Sequence, residues 1–293
     1  MAVTGFAPAK VNLYLHVGPP RADGLHPIDS LIAFADVGDR IEAQPAETLT
    51  LAVTGPFAPA LAGEADNLVL RAARLLAAHA GVAPRAALTL HKRLPIASGV
   101  GGGSSDAAAA LRVLNRLWAC GASLDDLEAI AAPLGSDVPG CVRARPARMR
   151  GVGELLEPAV IAPLNAVLVN PLVPAPTGAV YRAFDARPAP PLDDPGRAPD
   201  DGLIAWLRRR RNDLEGAAQT VAPAVGDVLD ALRTHAPGAL VRMSGSGATC
   251  FAVTDDAPAL AAAVSRRHPQ WWVRAARFGA PDAGGVDALA GDV

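Results

Sequence analysis

Between residues 99 and 105 the chain reads Gly-Val-Gly-Gly-Gly-Ser-Ser and runs directly into an alanine- and leucine-rich helical pattern. Glycines let a backbone curl until successive N–H groups face inward, and the start of a helix adds about half a positive charge aimed at the same place. A triphosphate suits such a pocket. The run is not a Walker A loop, because no Lys-Ser/Thr pair follows the last glycine; the hydroxyls of Ser104 and Ser105 stand there instead. It is a poor dinucleotide fingerprint as well. Read from Gly99, G-x-G-x-x ends on Ser104, and the acids about twenty residues on, Asp125 and Asp126, fall in a helical pattern and not at a strand end. A flexible linker can also be glycine-rich, but a linker rarely separates a strong strand from a strong helix by so few residues.

Transfer of a phosphoryl group to an alcohol profits from a carboxylate that takes the hydroxyl proton and a cation that holds geometry and offsets charge. Of 27 basic residues only two, Lys10 and Lys92, are lysine. An ammonium is a compact point charge where a guanidinium is a wide planar fork, so a chain that otherwise uses Arg throughout has a reason for those two positions. Lys10 is a plausible cation for the transfer. Asp137, in GSDVP, is one acid among 29 and on pattern alone reads as a capping or turn residue. A second glycine turn, Met243-Ser244-Gly245-Ser246-Gly247-Ala248-Thr249, is equally compatible with a plain hairpin and with a ligand loop.

These residues need elements to position them. Residues 10–17, KVNLYLHV, alternate, so Lys10, Asn12, Tyr14 and His16 share one face and Val11, Leu13, Leu15 and Val17 the other. A Pro/Gly loop (GPPRADGLHP) precedes strand-like runs near 28–35, 40–43 and 48–53. DNLVLRAARLLAAHAG is a helix with Asp66 or Asn67 as N-cap and a stop at Gly81. A strand over 87–91 leads through the glycine loop into a helix whose apolar face is Leu111, Leu114, Leu117 and Trp118. Ser123 with Asp126 forms an acidic capping box for a helix ending near Gly135, and Asp137 follows at the edge of a short strand. Beyond about residue 155 strands at 166–170, 239–243, 249–253 and 271–276, with helices at 177–184 and 258–268, spell a split β-α-β-β-α-β unit of ferredoxin-like type with extra helices. The expected class is α+β in two domains, 1–155 and 156–280, with 281–293 a disordered tail and the Pro/Asp-rich stretch 186–201 a mobile loop.

Composition narrows the classes. At 293 residues the chain suits two domains and the cleft between them. Its 51% apolar residues are dispersed, with no unbroken run of the roughly 18 that a membrane span requires, and the N-terminus lacks the marks of an export signal. A cytoplasmic protein without membrane partners is expected. Three widely spaced cysteines, Cys120, Cys141 and Cys250, predict buried, reduced thiols and neither disulfides nor a zinc site. A net charge of −2 argues against nucleic acid, and the basic run 208–211 reads as a solvated helix end.

Three segments, PAKVNLYLHV, LPIASGVGGGSSDAAAAL and MSGSGATCF, resemble in order and separation the motifs of the GHMP kinase superfamily. KVNLYLHVGPPRADGLHPIDSLI, HKRLP, LGSDVP, GVGE (151–154) and NDLE (212–215) are most similar to the branch acting on a cytidine-diphosphate ester of methylerythritol. The likeness extends to about Phe278. It implies a ribosomal-protein-S5-like α/β domain followed by a ferredoxin-like one, ATP and Mg2+ as cofactors, and phosphorylation of the substrate's 2-hydroxyl on the non-mevalonate route to isopentenyl diphosphate. A monomer or weak homodimer is expected.

The same resemblance implies roles. Asp137 is the base and Lys10 the cation that keeps it ionised and orients the acceptor; Asn12 touches the methylerythritol. Pro95, Ile96, Ala97, Ser98, Gly99, Val100, Gly101, Gly102, Gly103, Ser104 and Ser105 wrap the ATP phosphates, with Asn67, Leu68 and Lys92 near the nucleoside. His26 reads the cytosine edge, Tyr181 stacks on the ring, and Thr177 and Gly245 line the far side of the cleft. No metal ligand is assigned, although Ser105 and an acid are possible contacts. Leu25 departs from an aromatic that commonly sandwiches the base, a loss of about 1–3 kcal/mol and a looser grip on cytidine. Ala97 and Ser98 replace glycines, and Val100 a leucine, leaving the triple glycine intact. The competing readings are another GHMP kinase, for mevalonate, homoserine or a sugar, which RADGLH and NDLE disfavour; a silent nucleotide sensor, which would lack Lys10 or Asp137; and a nicotinamide oxidoreductase, disfavoured by the failed fingerprint.

Overall fold

The alternating run of residues 10–17 is the second half of a long strand, β1 (Val3–Val17), paired antiparallel along most of its length with β2 (Ile28–Gln44). Register shifts between Pro8 and Lys10 and between Asn12 and Tyr14 bend this ribbon, which is how bulges re-aim side chains. Both faces of β1 are buried, so its polar residues Lys10, Asn12 and His16 face protein and cleft, not open solvent. β2 is one bent strand where the sequence suggested two, because pairing with β1 carries it through its polar middle. The computed structural model describes residues 2–61, 66–188, 190–199, 201–279 and 285–288.

β3 (Thr50–Thr54) pairs parallel with β4 (Ala87–His91), and β4 pairs antiparallel with β2. Between them α1 (Leu68–Ala80) starts where Asn67 Oδ1 accepts from Val69 N and stops at a left-handed Gly81. α2 (Gly102–Leu117) starts earlier than the serines, with Gly102 and Gly103 already in its first turn and Gly101 as its left-handed cap. Its alanines 107–110 are fully buried, giving close packing against α1 and β1. α3 (Leu124–Ala131) carries the expected capping box. The segment after Asp137 is a helix, α4 (Val138–Arg143), and not the expected strand edge; Pro139 in its first turn is pre-set for a helix start. A hairpin of β5 (Ala147–Gly151) and β6 (Leu155–Pro158), too short and polar to show in the pattern, extends the sheet along β2.

β7 (Leu164–Asn170), α5 (Thr177–Asp185), α6 (Leu203–Arg208), α7 (Glu215–Val221), α8 (Ala224–His235), β8 (Leu240–Met243), β9 (Cys250–Val253), α9 (Ala257–Arg267) and β10 (Trp272–Phe278) complete the chain's second half. Its strands order β10-β7-β9-β8, all antiparallel, the split β-α-β-β-α-β arrangement. The class is α+β, as expected. The Pro/Asp-rich stretch has no helix or strand in its described residues, yet Arg148–Asp194 at 2.5 Å and Arg211–Asp193 at 3.5 Å tie it down. The expected tail is not without structure: β11 (Val286–Ala288) pairs with Val3–Gly5 at the open edge of β1, where unpaired backbone groups offer a template that composition cannot reveal. Residues 280–284 and 289–293 lie outside the described residues. All three cysteines are free, and among the described residues no helix is long and apolar enough to cross a membrane.

Candidate active site

Lys10 leaves β1 beside the glycine loop. Its backbone N–H donates to Val100 O at 2.8 Å, and a Cβ built on Gly101 would lie 3.2 Å from Lys10 Cβ and Cε, so the loop and the lysine stem are in contact. The ammonium continues to Asp137, with Nζ 2.7 Å from Oδ1. Asp137 occupies the N-cap position of α4 but makes no capping bond, so its carboxylate is not consumed by the helix as the pattern suggested. Lys10 is almost fully buried, whereas the Asp137 side chain remains 39% exposed to the cleft, leaving it open to a hydroxyl. Arg112 holds the frame. It donates to Cys141 O and Val142 O in α4 and to Phe6 O in β1, thereby bracing the helix that carries Asp137 against the strand that carries Lys10.

These groups open on a cleft of about 760 Å3. All but two of the expected site residues line it: Lys10, Asn12, His26, Asn67, Leu68, Lys92, the glycine-loop residues, Asp137, Thr177, Tyr181 and Gly245. The exceptions are Val100, packed in the apolar core, and Ser105, whose buried hydroxyl donates to Pro8 O. The Ser105 hydroxyl therefore points to β1 and does not line the cleft. Asn12 Nδ2 donates to Ser30 Oγ, which leaves Oδ1 without a protein partner and ready to accept.

Lys92 lines the cleft too, but its ammonium is taken up by two buried carboxylates, Asp39 at 2.5 Å and Asp106 at 2.7 Å. Asp39 also accepts from Arg93 N and Leu94 N, the backbone entering the glycine loop. Asp39 is thus fully satisfied, and Asp106 Oδ1 has no partner. Burial pushes the Asp106 carboxyl up to about 8, against the pull of Lys92 and with the push of Asp39. For Lys92, burial acts downward, and the two carboxylates outweigh it to hold the ammonium above its ordinary value. This strut under α2 was not legible beforehand; the signal available was that Lys92 is one of only two lysines.

The second glycine turn packs on the first. Ser244 Oγ donates to Gly99 O at 2.9 Å and accepts from Asn12 N at 3.1 Å, while Thr249 N donates to Ser98 O at 3.0 Å. NDLE, which could have been a mere cap, anchors that turn: Asn212 Nδ2 donates to Met243 O and Gly245 O, and Glu215 Oε2 accepts from Met243 N. Thr177 Oγ1 sits 2.9 Å from Ser246 Oγ.

At the opposite end of the cleft the Tyr181 ring lies against His26, centroids 4.9 Å apart, with Leu25 exposed beside them. Burial, then the nearby charges of Asp137 and Asp185, push the Tyr181 phenol up to about 12, so the ring stays neutral.

Family models described as GHMP kinases N terminal domain and GHMP kinases C terminal match residues 67–145 and 202–270. The chain is 50% identical over 290 residues to a 4-diphosphocytidyl-2-C-methyl-D-erythritol kinase of Caulobacter vibrioides, covering 95% of this chain and 100% of that one. A crystal structure of a 4-(cytidine 5'-diphospho)-2C-methyl-D-erythritol kinase superposes with a TM-score of 0.77 at 35% identity, covering 94% and 99% of the two chains. A homoserine kinase from Cytophaga hutchinsonii, at 18% identity and a TM-score of 0.71 over 98% and 97%, shares the fold.

Proposed function

The chain belongs to the GHMP kinase family, in its 4-diphosphocytidyl-2-C-methyl-D-erythritol kinase branch, and from that premise we propose that it moves the γ-phosphoryl group of ATP onto the 2-hydroxyl of 4-diphosphocytidyl-2-C-methyl-D-erythritol. The products are ADP and the 2-phosphate, a step of the non-mevalonate route to isopentenyl diphosphate. The observation that carries the mechanism is the 2.7 Å Lys10–Asp137 pair set against Gly101 of the glycine loop.

Asp137 takes the proton as the substrate oxygen attacks the γ-phosphorus. The new O–P bond forms while the bond to the β-γ bridging oxygen breaks, and ADP leaves with that oxygen. Lys10 orients the carboxylate and offsets charge on the transferring group. The N–H groups at the start of α2 and the curled loop before it face the phosphates, with Asn67 and Leu68 toward the nucleoside. Asn12 Oδ1 accepts from a hydroxyl of the methylerythritol, and His26 and Tyr181 hold the cytosine; Thr177 and Gly245 close the cleft from the far side. Among the described residues no three His, Cys, Asp or Glu side chains gather into a cage for a metal. Among the oxygen donors that line the cleft, the Ser104 hydroxyl at the start of α2 would fit a Mg2+ held chiefly by phosphate oxygens. Bound there, the ion would supply charge neutralisation on the β- and γ-phosphates. The setting proposed is the cytoplasm, as a monomer or weak homodimer.

The test is ADP release with Mg-ATP and the cytidyl substrate, beside mevalonate, homoserine, galactose and no acceptor. Turnover with the cytidyl substrate alone, lost in Asp137→Asn, is expected. Turnover confined to another acceptor would overturn the specificity, and nucleotide binding without turnover would favour a sensor.

A further inference from the structure

Alternation along two strands places a second cavity behind the first. Tyr14 of β1 and Arg148 of β5 are the chain neighbours of Leu15 and Met149, which line the catalytic cleft, and adjacent strand residues point to opposite faces of a sheet. Tyr14 and Arg148 accordingly line a separate cavity of about 310 Å3, which shares no lining residue with the cleft. Leu31 and Trp206, both nearly buried, join them, with the Tyr14 and Trp206 rings meeting edge to face at 5.5 Å. Residues 157–160, at the end of β6, and 196–198, in the Pro/Asp-rich stretch, complete the lining.

The lining is held in place from several sides. Arg148 Nε and Nη2 donate to Asp29, at 3.1 and 2.5 Å, and the same carboxylate accepts from the Tyr14 hydroxyl. Nη2 also reaches Asp194, and Arg210, whose guanidinium lies 4.3 Å from the Trp206 centroid, donates to Pro195 O, so the stretch that ends in Ala198 is tied to both β5 and α6. What remains unengaged is a set of donors. Among the described residues Arg148 Nη1 and Trp206 Nε1 make no hydrogen bond, and the Arg197 guanidinium makes neither a hydrogen bond nor an ion pair. The one acid in the lining, Glu157, is already paired with Arg150.

We propose that this cavity is a second ligand site, for an apolar ring system carrying one carboxylate or phosphate group, with the ring against Trp206 and Tyr14 and the anion on Arg197 and Arg148 Nη1. Guanidinium forks match the paired oxygens of such head groups, and an indole N–H can add a third donor. The remaining lining is apolar, and a cavity at the small end of the range that holds ligands suits a body of about two fused rings. A bare inorganic anion would leave the aromatic surface uncovered, a neutral ring would leave the donors unpaired, and a cation would meet two guanidinium groups. The site also accounts for the Pro/Asp-rich stretch, which presents Arg197 to the cavity.

The experiment titrates naphthyl phosphate, naphthoate, naphthalenemethanol and inorganic phosphate into the full chain by calorimetry, with Mg-ADP and CDP saturating the catalytic cleft, for the wild type, Arg197→Glu and Ala198→Trp. Both variants lie in irregular backbone and remove none of the hydrogen bonds that hold the lining. The two naphthyl anions should bind one per chain, at least about tenfold more tightly than the alcohol or inorganic phosphate. Arg197→Glu should weaken them at least about tenfold, and Ala198→Trp, whose ring would occupy the cavity, should remove binding. Naphthyl anions that bind no better than the alcohol, that fail to bind once the cleft is filled, or that are indifferent to either variant overturn the site. Because the variants lie outside the cleft, the result stands whichever acceptor the kinase takes.

Discussion

Lys10 must be a lysine because it threads a space that Gly101 leaves open: a Cβ there would already touch its stem at 3.2 Å. A guanidinium is wider and planar, so Lys10→Arg keeps the charge and misplaces it. Both Lys10→Arg and Asp137→Asn should lower kcat by about 10²- to 10⁴-fold with KM for ATP little changed, measured by coupled ADP release. The Asp106 carboxyl makes a different prediction. Its folded value of about 8 lies above the ordinary 3.8, so between those values the folded chain binds more protons than the unfolded one. Stability therefore falls as pH rises through that window. Urea unfolding between about pH 5 and 8 should show a shallower decline for Asp106→Asn than for the wild type; equal slopes would rule this out. At this scale the sequence made Lys10, Asp137 and the glycine loop legible, because lysine scarcity and glycine spacing are local signals. Asp39 and Asp106 were opaque, since each acquires its meaning from Lys92, 53 residues from Asp39 and 14 from Asp106, and no local pattern encodes that.

Elements with a clear period or cap were readable to within a residue or two: α1 with its Asn67 and Gly81 caps, the start of α3 at its Ser123–Asp126 box, β4, β7 and β9. Others were not. Six residues of α4 and four of β6 carry too little periodicity to declare themselves, and tertiary contacts decide them. The brace on α4 is Arg112, buried and with no carboxylate partner among its hydrogen bonds to three backbone carbonyls. Burial lowers its guanidinium to about 10, still charged at neutral pH. Arg112→Met keeps length and removes every donor, orphaning those carbonyls. It should cost at least about 2 kcal/mol in urea unfolding and, by freeing α4, reduce kcat more than KM for ATP. Unchanged kcat in the folded variant would show that α4 holds Asp137 without it. The two glycine turns form a comparable joint: Gly99 has φ +74° and a Cβ there would collide with Ser244 O and Gly247, so no side chain fits between them.

Across the whole molecule, the sequence suggested a boundary near residue 155, and the packing shows what such a cut would expose. One apolar cluster joins Ala9, Val11 and Leu13 of β1 and Leu31 and Ala33 of β2 to Leu164 and Leu168 of β7, Phe251 of β9 and Phe278 of β10. The sheet itself crosses the boundary, through Phe278 opposite Ala35 and Gly279 N donating to Phe34 O. Asn12 N reaching Ser244 and Asp213 accepting from Val17 N add polar ties between the same halves. Such a seam resembles a domain core more than the polar, separable contact of loosely linked domains. We therefore expect unfolding in urea to be a single transition, with far-ultraviolet circular dichroism and tryptophan fluorescence coincident, and a fragment of residues 1–155 to show no cooperative transition of its own. Trp118 lies in the first half and Trp206, Trp271 and Trp272 in the second, so fluorescence weights the second half while circular dichroism reports both. Two resolved transitions, or a cooperatively folded fragment, would mean that the catalytic cleft is made by docking two independent bodies; one transition means that Lys10 and the Ser244 turn are placed by the same folding event.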